Sequence, residues 1–65
     1  MNTRAKLIAA GVKNLKTFGY PSVNAENILT DSIFKAFFVS MLKDNVGNGA
    51  EKEIKALLDE LGEKA

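Results

Sequence analysis

The sequence predicts an all-α protein, a small bundle of three main helices plus one short helix, with residues 1–65 forming a single helical domain. Three observations lead there. The stretch from Ile33 to Leu42, IFKAFFVSML, holds three of the four phenylalanines of the chain. At 100° per residue its Ile33, Phe34, Phe37, Phe38, Met41 and Leu42 fall within one half of a helical wheel, wider than the stripe of an ordinary surface helix. Two further stretches, one on each side, carry apolar residues at helical spacing and end at glycine. No segment alternates with period two for long enough to be a strand.

The first helix is expected from about Thr3 to Phe18, with Asn2 or Thr3 as its cap. Leu7, Ile8, Gly11, Val12, Leu15 and Phe18 share one face, and Lys6, Lys13 and Lys16 share the other. Gly19 supplies the left-handed residue that ends a helix, and Pro21 blocks continuation. Gly11 costs up to about 1 kcal/mol of helix propensity. Its place on the apolar face marks a point where another helix crosses closely.

Two start signals follow in quick succession. Asn24 is a good N-cap, and Val23 before it can staple onto Ile28. Thr30 repeats the pattern, with Leu29 placed to pack on Phe34. The pair predicts a helix of one or two turns, a bend, and then the aromatic helix; one continuous helix over residues 24–44 is the alternative. The aromatic helix ends near Asp44 or Asn45, at the turn cluster Asn45-Val46-Gly47-Asn48-Gly49. Asn48 with Glu51 resembles a capping box for the last helix, which carries Ile54, Leu57, Leu58 and Leu61 on one stripe and stops at Gly62. Glu51–Lys55 and Glu60–Lys64 are favourable i,i+4 pairs on its wet face.

The net charge is only +1, but the charge is unevenly placed. Residues 1–20 carry Arg4, Lys6, Lys13 and Lys16 without an acid, whereas residues 44–65 are predominantly acidic. The two ends are set to attract, within a chain or across a dimer. A chain of 65 residues lies near the lower limit for folding without a staple, so a homodimer is among the expected states.

The chain contains no cysteine and no histidine. Disulfides and thiolate metal sites are therefore excluded, and the usual general base and thiol nucleophile are missing. The carboxylates of the last helix stand among lysines, as on a solvated face. The Asp44–Gly49 turn lacks the alternating ligands and terminal glutamate of a calcium loop. The protein is expected to be no enzyme and to use no cofactor or metal. LIAAGV after Arg4 and Lys6 is too short for a signal-peptide core, and the apolar run around Phe37 is too short to span a bilayer and contains Lys35. A soluble, cytoplasmic protein without a membrane partner is the expectation.

What remains is binding. The candidate protein-binding residues are Tyr20 and Pro21, an amphipathic ring beside a rigid turn, with Val39 and Val46. Val39 lies off the main apolar arc of its helix, and is either exposed on a second face or covered by the last helix. The alternative is nucleic-acid binding through Lys6, Lys13 and Lys16, with the short helix and the aromatic helix forming a helix-turn-helix. The exposed residues of that aromatic helix would be Ser32, Lys35, Val39, Ser40, Lys43 and Asp44, with no Arg, Asn or Gln to reach base edges.

Three elements of the segment Asn14–Asn45 carry a resemblance: the FGYP turn at Phe18–Pro21, the AENILTD run at Ala25–Asp31, and the aromatic helix ending SMLKDN. In these it resembles small uncharacterised helical proteins encoded by bacteriophages and prophages. The resemblance implies a phage or prophage setting and, by analogy, an accessory protein that binds a host or phage assembly. It implies no catalytic or binding residue.

Overall fold

The computed structural model describes residues 3–47 and 49–63. Its elements are α1 (Thr3–Thr17), a 3-10 turn (Asn27–Leu29), α2 (Ser32–Asp44) and α3 (Glu51–Glu60). Among the described residues there is no strand.

Each end of α1 and α3 that glycine terminates is closed by the same pair of hydrogen bonds. At Gly19 (φ 103°) the Gly19 N–H donates to the Lys16 carbonyl at 3.1 Å and the Tyr20 N–H to the Leu15 carbonyl at 3.0 Å. At Gly62 (φ 82°) the Gly62 N–H donates to Asp59 at 3.0 Å and the Glu63 N–H to Leu58 at 2.8 Å. This is the Schellman arrangement, which satisfies carbonyls that the last helical turn leaves open. α1 ends at Thr17, one residue short of the expected Phe18. Asn2, one of its two expected caps, lies outside the described residues.

Residues 24–44 form two elements rather than one helix. Asn24 Oδ1 accepts from the Glu26 and Asn27 N–H groups, both at 2.9 Å, and Asn27 Oδ1 accepts from the Asn24 N–H at 2.8 Å. This reciprocal pair is the geometry of a capping box with asparagine at both positions. What it starts is only one 3-10 turn. Asp31, not Thr30, caps α2: its backbone is extended (φ −70°, ψ 129°), and its carboxylate accepts from Ile33 at 2.9 Å and Phe34 at 3.1 Å. The Thr30 hydroxyl donates backwards to the Glu26 carbonyl at 3.4 Å.

The start of α3 also differs from expectation. Asn48 lies outside the described residues, and Ala50 holds the N-cap position in the left-handed region (φ 55°, ψ 28°) with no side-chain cap bond. Glu51 and Glu53 in the first turn complement the exposed N–H groups electrostatically.

The three helices and the 3-10 turn close over one core. α1 contributes Ile8 and Leu15, the connecting segment Val23 and Ile28, and α3 Ile54, Leu57 and Leu58, with Leu61 just past its end. α2 contributes Phe34, Phe38, Val39 and Leu42. At Gly11 the backbone of α1 comes close to this core. A Cβ built there would meet Phe38 Cδ1 at 2.7 Å and Ile28 Cδ1 at 2.9 Å, so α2 and the turn pack against bare backbone. The attraction of the basic first segment for the acidic last one is realised within the chain. Arg4 pairs with Glu60 at 2.7 Å, while Lys43 of α2 meets Glu63 at 3.4 Å. All four side chains are about half exposed, so these pairs add little stability.

Candidate protein-interaction site

The apolar arc of α2 and its buried arc are not the same arc. Phe34, Phe38 and Leu42 belong to both. Ile33 and Phe37 belong to the apolar arc alone and are 57% and 42% exposed; Val39 lies outside it and is only 9% exposed. At 100° per residue the buried arc is rotated by about 80° from the centre of the apolar one. The rotation places Val39 in the core and turns one apolar edge of α2 to solvent. Phe37, although on the apolar half-wheel, is therefore a surface ring.

Phe18 completes that edge. It follows the last residue of α1, is 73% exposed, and stacks on Phe37 with ring centroids 6.3 Å apart. It does not join the buried face of α1, because the helix stops at Thr17, one residue before it. Tyr20 links this surface pair to the core. Its ring is tilted against Phe37 at 5.6 Å and meets Phe34 edge-on at 5.8 Å. Offset and edge contacts of this kind hold rings in fixed orientation, so the exposed aromatic surface is built on ordered elements.

Beside the Phe18–Phe37 pair a cleft of about 310 Å³ runs between α1 and α2. Gly11, Leu15, Phe38 and Met41 give it an apolar lining, and Asn14, Ser40, Asp44 and Asn45 contribute polar groups. The Asn14 amide donates to the Met41 sulfur at 3.3 Å across it. Asn45 is turned back on the helix end, its amide donating to the Met41 carbonyl at 2.8 Å.

The four residues expected to bind a protein do not form one surface. Tyr20 is half-buried under Phe37, Pro21 is exposed on the turn beside it, and Val39 is in the core. Val46 is 45% exposed, but it follows the opposite end of α2. Twelve residues separate it from Phe34, roughly 18 Å along a helix. Ile33, Phe18 and Phe37 are exposed, although all three lie on the apolar faces that periodicity marks. One signal for them was present: a half-wheel of apolar residues is wider than two neighbouring helices can cover.

Lys6, Lys13 and Lys16 are exposed together on the far face of α1, and neither ion pair found among the described residues engages them. Lys13, Lys16 and Thr17 border a shallow, open groove of about 660 Å³ with Val23 and Asn24 on its other side. Of the alternative helix-turn-helix, the first helix is a single 3-10 turn, and Val39, one of the residues expected to be exposed on the second, is core. Among the described residues no three acidic side chains converge as a metal site would require, and no helix is long and apolar enough to cross a membrane. No family model, curated protein or solved structure matches the chain.

Proposed function

We propose that the protein is a non-enzymatic protein-interaction module, an accessory protein of a phage or prophage that binds a host or phage protein assembly in the bacterial cytoplasm. The observation that carries the reading is the solvent-exposed Phe18–Phe37 stack with Ile33 beside it. Large rings left wet on ordered helices are the usual composition of an interface centre. The phage setting rests on the resemblance of residues 14–45 alone.

The exposed area also bears on the partner. Phe18, Phe37 and Ile33 present roughly 300 Å² of mostly apolar surface. A stable dimer buries about 800 Å² per partner. The patch alone is smaller than such an interface, so a partner of either kind, a different protein or a second copy, must also contact residues around it.

The test is affinity capture from a bacterial lysate with the native protein and with Phe18→Ser, whose helix content is first matched by circular dichroism. Proteins retained by the native chain and lost with Phe18→Ser support the reading. Identical capture by both overturns it. The exposed lysines of α1 favour one second reading, phosphate-backbone contact with nucleic acid. Binding of random-sequence duplex at low salt that falls steeply as salt is raised, and is lost on replacing Lys6, Lys13 and Lys16 with Glu, would establish that reading instead.

A further inference from the structure

We infer that the α1–α2 cleft receives one face of a basic amphipathic helix, with an apolar anchor against Phe37 and Met41 and a lysine or arginine at Asp44. The inference rests on the protein-binding reading and adds the chemistry of the partner. Its first ground is shape. The cleft runs along α2 from Phe37 to Asp44, two helical turns or about 10 Å. A helix laid into a groove presents anchors at that spacing. The Met41 thioether gives the lining a soft, adaptable surface.

The second ground is charge. Among the described residues Asp44 is the one charged residue lining the cleft. It is exposed at the last turn of α2, where the carbonyl end of the helix adds to its negative potential. Among the described residues no ion pair engages Asp44; Lys43 next to it turns to Glu63. A cation on the incoming segment therefore meets both a free carboxylate and a helix C-terminus. The protein as a whole carries +1, so a preference for a cationic partner would arise at this cleft and not from net charge.

A second copy of the chain does not fit the description. Its basic helix is α1, and the apolar stripe of α1, Ile8, Gly11 and Leu15, is already buried in its own core.

The experiment is an amide-resonance titration with two synthetic probes: a two-heptad helical peptide of leucine and lysine, and its counterpart with every lysine replaced by glutamate. The native protein is expected to bind the lysine peptide roughly threefold to tenfold more tightly, the range of one exposed charge contact and its reversal. Shifts are expected at Gly11, Phe37, Ser40 and Asp44. Asp44→Asn, an exposed substitution at a helix end, should remove most of that preference, and Phe18→Ser should weaken both peptides. Equal affinity of the two peptides at the cleft, or a preference that survives Asp44→Asn, overturns the inference while leaving the protein-binding reading standing. Absence of shifts at the cleft with either peptide also overturns it, and the Phe18 capture experiment then judges the broader reading independently.

Discussion

Phe37 and Phe38 are neighbours in the chain and opposites in the structure. Phe38 is 1% exposed and presses its ring edge on the backbone of Gly11, where α1 has given up a side chain to admit it. Phe37 is 42% exposed and rests on Tyr20 and Phe18, two rings outside the helical core. One residue of rotation, about 100° on a helix, separates a ring that holds the bundle together from one that faces water. Identical side chains on one helix thus divide into a stability role and a surface role, and what divides them is where α1 and α3 stop covering α2.

That division can be broken or sharpened by substitution. Phe38→Ala has the largest expected effect, about 3–5 kcal/mol, the usual cost of truncating a buried phenylalanine. For a domain of this size that is enough to unfold it, and loss of the cooperative thermal transition is the readout. Gly11→Ala comes next. Alanine gains up to about 1 kcal/mol of helix propensity but overpacks against the Phe38 ring, typically a cost of 1–3 kcal/mol. A net loss of about 1 kcal/mol in urea denaturation is expected; a gain would mean the Phe38 ring moves freely and the contrast with Phe37 is overstated.

Asp31→Ala is expected to cost about 1 kcal/mol through loss of the α2 cap, whereas Thr30→Ala should cost less than half of that. Denaturation of the two variants side by side reads the difference, and equal losses would return the cap to Thr30. Phe18→Ala is likewise expected to have a small effect, under about 0.5 kcal/mol, since it alters one exposed side chain. A loss comparable to that of Phe38→Ala would erase the distinction between wet and dry rings on which the candidate site stands.

Much of the fold was legible because it is governed by local chemistry. Gly19 and Gly62 end their helices for the conformational reason expected of glycine, and Asn24 caps the segment it precedes. Ile54, Leu57, Leu58 and Leu61 form a narrow stripe, and a narrow stripe leaves one choice of buried face. Gly11 announced a close helix crossing, and Phe38 and Ile28 make it. The surface was less legible. Periodicity ranks residues by hydrophobicity around a wheel, and on α2 it offered six positions to a bundle able to cover fewer. Val39 was offered as a contact residue because it lies off the apolar arc, yet burial follows neighbours and not the arc. The choice between Thr30 and Asp31 as cap was also hidden, because both residue types cap well and the backbone at the bend selects one.

By itself, then, the sequence determined the helical class, the helix ends at Gly19 and Gly62 and the absence of cysteine and histidine chemistry, and it left open whether residues 24–44 form one helix or two. These follow from local propensity, capping and composition, which act within a few residues along the chain. Only the tertiary structure decided which half of the aromatic helix stays dry, that Phe18 and Phe37 stack in solvent, and that Asp44 closes one end of a cleft. Those outcomes depend on the rotation of α2 between α1 and α3, and that rotation is fixed by contacts between residues far apart in the chain.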